Sequence, residues 1–268
     1  MTRQLGKERL EELYREYNRR SRVHPDPVEF LYRYERPEDR EVVALIAACL
    51  AYGRVGHILR SVGSVLERMG PSPARFVDAA TALKLSAAFD GFRHRFSGAD
   101  ELTGLLLGIG EVRRRHGTLD LSFRAGMKDQ GVAQGLSAFV SGLAAAAARP
   151  VGHLLPVPAK GSACKRLHLF LRWMVRQDNV DPGGWTGLAP SDLIVPLDTH
   201  MHRIGLALGF TSRKAAGLRT ALEITDAFRA FAPDDPVRYD FALTRLAICS
   251  PRDLERFLIE YGKKGAHD

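Results

Sequence analysis

Cysteine is scarce in this chain. Its 268 residues include only Cys49, Cys164 and Cys249, which are far apart. Three widely separated cysteines provide neither a disulfide framework nor a Cys-rich zinc or iron–sulfur site. The sequence therefore favours a reducing compartment, and we expect a cytoplasmic protein.

Long apolar runs are also missing, and lysine is rare. No segment approaches the roughly 20 apolar residues of a membrane span, so we expect no membrane anchor. Only eight of the 39 basic residues are lysines, and the formal net charge is +8. Such an excess is typical of proteins that bind nucleic-acid phosphates, although it also fits a generally soluble basic surface. Because a lysine can lose its proton and act as a nucleophile, each of these few lysines is a candidate catalytic residue.

The dominant periodicity is helical, and we find no convincing alternating strands. Apolar spacing and turn residues predict an all-α fold with helices at 8–17, 39–52, 55–69, 102–107, 132–148, 165–176, 200–208, 213–231 and 236–248. The segment 39–52 is almost entirely apolar, which predicts a buried helix. The longest irregular stretch, 179–196, is of a length that is often functional.

A turn of small residues precedes the helix predicted at 165–176. Backbone N–H groups at such a turn, beside the positive end of a helix, suit a bound phosphate. The apolar face of this helix comprises Leu167, Phe170, Leu171, Met174 and Val175. Lys165, Arg172 and Arg176 fall on the opposite side, so the alternative is an ordinary solvated face with a loop before it.

Asp198 follows an apolar run and stands immediately before another predicted helix. Its carboxylate is a good N-cap, which is the structural explanation, but a capping carboxylate can also be held at the mouth of a cleft. His200 and His202 lie too near in sequence to share a metal with it, since helical residues two apart point about 200° away from each other. We therefore expect no metal site.

Aromatic residues offer candidates for contact with a base. Trp173 and Trp185 flank the start of the irregular stretch, where they either pack in the core or form a wall that stacks on an extruded base. Tyr52 and Arg54 lie where two predicted helices are interrupted, a position from which either could probe a DNA stack.

Two segments together resemble the helix-hairpin-helix DNA glycosylase superfamily, which includes the endonuclease III-like enzymes. Residues 161–165 resemble the hairpin Gly-x-Gly-x-Lys, and residues 196–203 resemble the segment Val-Asp-Thr-His-Val-x-Arg. By this resemblance Lys165 matches the nucleophile and Asp198 the catalytic aspartate. Residues 41–54 are similar to the family's buried early helix, which ends in a DNA-facing turn.

The chain departs from that superfamily in three ways. Ala163 replaces the second hairpin glycine, and the C-terminal cysteine cluster of many relatives is absent, so we expect no iron–sulfur cluster. The spacing from Lys165 to Asp198 is 33 residues (198 minus 165), longer than in endonuclease III-like members but similar to that of archaeal 8-oxoguanine glycosylases. Segments 170–176 and 235–243 look closer still to a bacterial family of uncharacterised proteins.

The resemblance implies one glycosylase-like unit over residues 1–268, with two helical lobes and an interlobe cleft. The central lobe, which carries the hairpin, would span about 36–197, and the second would combine 1–35 with 198–268. Lys165 and Asp198 would face the cleft within about 8 Å of each other, leaving room for a sugar. The residues expected to contact DNA are Lys160, Gly161, Ser162, Ala163, Arg166, Tyr52 and Arg54.

The implied function is a bifunctional DNA glycosylase and abasic-site lyase that excises a damaged base, for example an oxidised one, without a cofactor. Attack by Lys165 requires a deprotonated amine, to which the cationic neighbours Lys160 and Arg166 could contribute. We expect a monomer associated with the nucleoid. A non-catalytic DNA-binding protein on the same fold is the main alternative, and an RNA-directed protein is a third.

Overall fold

The computed structural model describes residues 4–127, 131–158 and 161–262. This part of the chain is mostly helical, which confirms the all-α expectation. The α-helices are Lys7–Tyr17 (α1), Pro37–Leu50 (α2), Val55–Met69 (α3), Pro73–Asp78 (α4), Ala82–Ala88 (α5), Ala99–His116 (α6), Leu119–Met127 (α7), Gly131–Ala146 (α8), Lys165–Val175 (α9), Thr199–Ala207 (α10), Leu218–Arg229 (α11), Asp240–Cys249 (α12) and Pro251–Tyr261 (α13). In addition, 3-10 helices span Arg20–Arg22, Pro27–Arg33, Gly152–Leu154 and Pro190–Asp192.

The sequence prediction located most long helices but missed several short ones. Helices α4, α5, α7 and α13 were not predicted, and α6 extends well beyond the predicted 102–107. The sequence also showed no sign of the one short antiparallel hairpin in the described residues, in which Arg93–His94 (β1) pairs with Ser97–Gly98 (β2). Strands of two residues are too short to produce an alternating pattern, so periodicity does not reveal them.

Helix α2 is buried along nearly its whole length, as predicted. It contacts α3, α4, α9 and the 3-10 helix Pro27–Arg33, so apolar side chains suit all its faces. Glu41, one of two buried acids of this helix, accepts hydrogen bonds from Arg113 Nη1 at 2.7 Å and from Leu119 N at 2.9 Å. A charge inside an apolar helix is tolerated here because it is paired and hydrogen-bonded.

The packing of α1 brings the beginning of the chain to its later helices. This helix lies against α12, and α12 in turn contacts α10 and α13. Helix α9 packs instead against α2. The start of α9 and the start of α10, which carry the two sequence motifs, meet at the cavity described below.

The connection between α9 and α10 is irregular, as predicted, apart from the 3-10 turn Pro190–Asp192. Much of it is nevertheless packed into the core. It folds back on the end of α9, where Gly183 N donates to Trp173 O at 3.0 Å and Trp185 N donates to Met174 O at 2.8 Å. The stretch therefore acts mainly as packed scaffold, and only its last residues reach the cavity.

Across the described ranges, no helix is long and apolar enough to cross a membrane.

Candidate active site

A cavity of about 670 Å³ opens where several distant segments of the chain meet. Its wall includes the start of α9, the start of α10 and one face of α12, together with the Tyr52–Gly53 turn after α2. Residues 25–27, His153, Pro156 and two residues of α3, Val55 and Ile58, also line it. The two sequence motifs therefore contribute to one concave site, although 33 residues separate Lys165 from Asp198.

Lys165 and Asp198 face each other in this cavity. The Lys165 Nζ atom lies 3.6 Å from Asp198 Oδ2, and the side chains are 37% and 17% exposed. The expectation that the amine and the carboxylate share one cleft is confirmed as geometry, while their catalytic roles stay predictions. The site is partly shielded from water but open enough to admit a ligand.

Asp198 caps a helix and faces Lys165 at the same time. Its Oδ1 accepts a hydrogen bond from Met201 N at 2.8 Å, which confirms the predicted N-cap of α10. Its Oδ2 is the oxygen next to Lys165. Because the cap fixes the side chain, the carboxylate is held in place before any substrate binds.

The turn before α9 accommodates alanine at the position where a glycine was expected. Gly161 has a φ of +72°, and the second left-handed residue is Cys164 with φ 43° and ψ 40°. Ala163 is buried and is not among the positive-φ residues of the described chain. The turn is also held by the residue before α11, because Ser162 pairs with Gly217 in an isolated β-bridge. Alanine at 163 therefore imposes no left-handed strain.

Of the other residues expected to contact DNA near this turn, Lys160 lies outside the described residues and Arg166 turns inward. Arg166 Nη1 donates to Cys49 O at 2.6 Å and to Leu154 O at 3.1 Å, and Nη2 donates to His153 O at 2.6 Å. Burial lowers the pKa of this guanidinium. Arg166 ties the start of α9 to the cavity wall, and the expected contact with DNA does not fit this arrangement.

Tyr52 is also part of the wall. Its hydroxyl donates to the His94 carbonyl at 3.0 Å and pairs with the Ser97 hydroxyl at 2.9 Å. Its ring packs edge-on against His153 at 4.8 Å between centroids. The ring is thus held by the protein, which leaves it poorly placed to probe a DNA stack. Arg54 is exposed just before α3, and its contact with DNA stays a prediction.

The expectation that two tryptophans form a base-stacking wall is wrong. Trp173 is 0% exposed and Trp185 is 5% exposed, and neither lines the cavity. The Trp185 indole N–H donates to Glu41 Oε2 at 3.1 Å, and its ring meets Phe170 edge-on at 5.0 Å. Both tryptophans belong to the core, because the segment after α9 folds back on that helix.

Arg172 and Arg176 are not on a solvated face, contrary to the count of helical positions. Both are buried, and Arg172 Nε lies 3.2 Å from Asp181 while its Nη1 pairs with Asp240 of α12. Arg176 pairs with Asp181 and, at 2.9 Å, with Asp235. Helix α9 is therefore buried nearly all round, and the buried pair of Arg172 with Asp240 joins it to α12.

Helix α12 contributes cavity residues that the sequence reasoning missed. Asp240, Phe241 and Arg245 line the cavity opposite the start of α9. Burial raises the pKa of Asp240 to about 6; Arg172 opposes this shift, and the charge of Asp198 adds to it. An acid and an arginine within an otherwise apolar helix were the sequence signal that could have identified them.

No group of three or more His, Cys, Asp or Glu side chains is placed to hold a metal ion within the described ranges. Cys49 and Cys164 are buried free thiols, and burial raises the pKa of Cys49 to about 12. The cavity lining offers an amine, carboxylates and guanidinium groups, together with the imidazoles of His153 and His200 and several hydroxyl groups.

A protein-family model described as "Protein of unknown function (DUF2400)" matches residues 26–249, which include both motifs and α12. The chain belongs to this family. Comparison with curated proteins and with solved structures gives no match. This membership agrees with the resemblance of segments 170–176 and 235–243 to a family of uncharacterised proteins, and it assigns no activity.

Proposed function

We propose that this member of the DUF2400 family is a DNA glycosylase and abasic-site lyase that removes a damaged base through Lys165. The observation that supports this most directly is the 3.6 Å separation of Lys165 Nζ from Asp198 Oδ2 within one cavity. An amine beside a fixed carboxylate is a suitable pair for attack on a sugar carbon that develops positive charge. The resemblance of both motifs to those of the helix-hairpin-helix glycosylases points to the same chemistry.

The reaction follows from the two groups. The neutral Lys165 amine attacks C1′ of the deoxyribose, and the N-glycosidic bond breaks as the base leaves with the electron pair and then takes up a proton. The Asp198 carboxylate stabilises the positive charge that develops on the sugar. Opening of the ring gives an imine between Lys165 and C1′. Loss of a C2′ proton and cleavage of the C3′–O bond then break the strand by β-elimination.

The cavity is large enough for an extruded nucleoside. Its volume of about 670 Å³ lies within the range of about 300–1,000 Å³ of pockets that hold small organic ligands. Phe241 and Arg245 take the place of the tryptophans as candidates for contact with the base. The Phe241 ring lies 5.0 Å from the Arg245 guanidinium, and both side chains line the cavity.

The packing and charge of the chain are consistent with DNA as the partner. The contact of α1 with α12 supports a second lobe built from both ends of the chain, and the left-handed residues Gly161 and Cys164 support a turn directly before α9. The net charge of +8 favours binding to a polyanion. The two-lobed helix-hairpin-helix architecture is thus part of the proposal.

The experiment is an excision and strand-cleavage assay on duplexes that carry oxidised, deaminated or alkylated bases. We expect the wild-type protein to excise at least one class and to cut the strand, and Lys165→Gln to do neither. Asp198→Asn should slow excision by about 10²–10³-fold, the usual effect of removing a transition-state charge partner. Asparagine also caps helices well, so this variant should keep α10 intact. Lys84→Gln, which removes an exposed lysine outside the cavity, is the matched control.

Two outcomes would contradict the proposal. One is excision by Lys165→Gln at the wild-type rate. The other is salt-sensitive DNA binding by the wild-type protein without excision of any base, which would favour the non-catalytic DNA-binding alternative. Preferential competition by RNA over damaged duplex DNA would identify the RNA-directed alternative.

A further inference from the structure

A buried arginine in the cavity wall has a hydrogen-bond donor that the protein does not use. Arg245 of α12 lines the cavity and is 2% exposed. Its Nη2 atom donates to Val23 O at 2.7 Å and lies 3.3 Å from Asp26 Oδ2. Its Nη1 atom is closed to bulk water and has no hydrogen-bond partner in the described part of the chain. Buried polar atoms are almost always paired, and a charged donor without an acceptor costs free energy, so the unused donor points to an acceptor that a ligand brings.

The guanidinium of Arg245 is held in place before any ligand binds. Both contacts of Nη2 are to residues 23–26, and Asp26 is itself fixed because its Oδ1 accepts a hydrogen bond from Val28 N at 3.0 Å. The Phe241 ring, on the same helix, lies 5.0 Å from the guanidinium. A donor fixed in this way can select a ligand by geometry, because little conformational freedom is lost on binding.

The surroundings of Nη1 favour a neutral acceptor. A ligand with a negative charge at this position would lie beside Asp26, whose carboxylate already contacts the same guanidinium. A ligand with an amino group or a positive charge there would place a donor or a cation against a cation. A carbonyl oxygen accepts a hydrogen bond and brings no net charge, so it satisfies Nη1 without either cost.

The position of Arg245 along α12 extends the cavity beyond the amine and the carboxylate. Asp240, at the start of α12, is close enough to Asp198 for the two carboxylates to interact electrostatically. Arg245 follows five residues later (245 minus 240), which is about 7.5 Å farther along the helix axis. Both Asp240 and Arg245 line the cavity. A nucleotide whose sugar lies at Lys165 and Asp198 can therefore reach Arg245 with its base.

We infer that Arg245 Nη1 donates to a carbonyl oxygen on the base edge opposite the glycosidic bond, at C6 of a purine or C4 of a pyrimidine. The cavity then takes bases with a carbonyl at that position and discriminates against those with an amino group or a positive charge. Hypoxanthine and uracil, which arise by deamination of adenine and cytosine, have a carbonyl where their parents have an amino group. The inference rests on the proposed function for the extruded nucleotide, but it needs no chemical step, so binding alone tests it.

The test measures binding to duplexes that carry a single 2′-fluoro nucleotide, whose glycosidic bond resists cleavage. 2′-Fluorodeoxyinosine is compared with 2′-fluorodeoxyadenosine, each opposite a tetrahydrofuran abasic analogue so that neither base is paired. We expect the wild type to bind the inosine duplex about 10–100-fold more tightly than the adenosine duplex, because only hypoxanthine offers an acceptor at C6. The pair 2′-fluorodeoxyuridine and 2′-fluorodeoxycytidine should give the same order, with uridine preferred.

Variants of Arg245 should lose this preference. Arg245→Met removes the donor and should bind the inosine and adenosine duplexes within about threefold of each other. Arg245→Lys keeps a cation beside Asp26 but has one terminal nitrogen instead of two, so it should also lose most of the preference while protecting the fold. Arg238→Met is the matched control, because Arg238 also pairs with a carboxylate, Glu11, but does not line the cavity. It should keep the wild-type preference.

The inference would be overturned if the wild type bound the two duplexes equally or bound neither, which is also the result expected if a buried water alone satisfies Nη1. Retention of the preference by both Arg245 variants would overturn it too, because another group would then read the base. These outcomes are distinguishable from failure of the proposed chemistry. An inosine preference that depends on Arg245, without excision by the wild type, would remove the chemistry and keep the recognition site. Excision that depends on Lys165, without a preference between the duplexes, would do the reverse.

Discussion

Replacement of Arg172 by methionine should destabilise the protein in a manner that depends on pH. Arg172 is buried between Asp181 and Asp240. Without it Asp181 keeps Arg176, whereas Asp240 loses its ion-pair partner within the described chain. Removal of one partner from a buried ion pair typically costs about 3–5 kcal/mol, so we expect the free energy of unfolding to fall by about 3 kcal/mol at pH 7.

The dependence on pH follows from the carboxyl that remains. Burial, opposed by Arg172 and assisted by Asp198, raises the pKa of Asp240 to about 6 in the wild type. A pKa that is higher in the folded state adds stability at low pH, and this is lost as pH rises through that value. As pH rises from 5 to 7, the contribution of Asp240 to the free energy of unfolding of the wild type thus falls by about 1 kcal/mol. Without Arg172, the pKa of this buried carboxyl should reach about 8 or more. The free energy of unfolding of the variant should therefore fall by between about 2 and 3 kcal/mol as pH rises from 5 to 7.

The assay is urea unfolding followed by circular dichroism at pH 5 and pH 7. The destabilisation caused by Arg172→Met should be about 1 kcal/mol greater at pH 7, and a second change, Asp240→Asn, should remove that increment. Arg203→Met is the matched control, because Arg203 pairs with Glu255 at a half-exposed surface position where such pairs contribute about 0–1 kcal/mol. The reasoning is refuted if Arg172→Met destabilises no more than Arg203→Met, or equally at both pH values.

Two further predictions concern the cavity and the core. Trp185→Phe should lower the free energy of unfolding by about 1–3 kcal/mol, since Glu41 loses a buried donor, but it should leave excision within about twofold of wild type. If Trp185→Phe folds but loses most of its excision activity, the prediction is contradicted and Trp185 takes part in the site. Excision should fall as pH drops from 7 to 5. Protonation of Asp240 near pH 6 removes a negative charge that interacts with Asp198, so less negative charge remains to stabilise the positive charge that develops on the sugar. Asp240→Asn should abolish this step, and an unchanged pH–rate profile in that variant would contradict the assignment.

The sequence was sufficient to predict the two groups at the centre of the site. Small residues before an apolar helix and a carboxylate at an N-cap are local signals, and local signals predict local structure. Their order and spacing resembled one superfamily, which placed Lys165 and Asp198 in one cleft. Their separation of 3.6 Å agrees with that reasoning.

The wrong predictions concern contacts that form between distant parts of the chain. Arg172 was assigned to a solvated face because its partner Asp240 lies 68 residues later and its other partner, Asp181, lies on a segment that folds back onto α9. The same fold-back buries Trp185 against Glu41, 144 residues earlier. No periodicity within α9 contains this information.

The most direct test of the central claim is borohydride trapping on a duplex that contains a natural abasic site, followed by digestion and mass spectrometry of the cross-linked peptide. Borohydride reduces the imine between an enzyme amine and C1′ to a stable secondary amine. We predict one DNA-linked peptide, modified at Lys165, and no cross-link with Lys165→Gln. A cross-link located at a different amine, or none at all with the wild-type protein, would contradict the account.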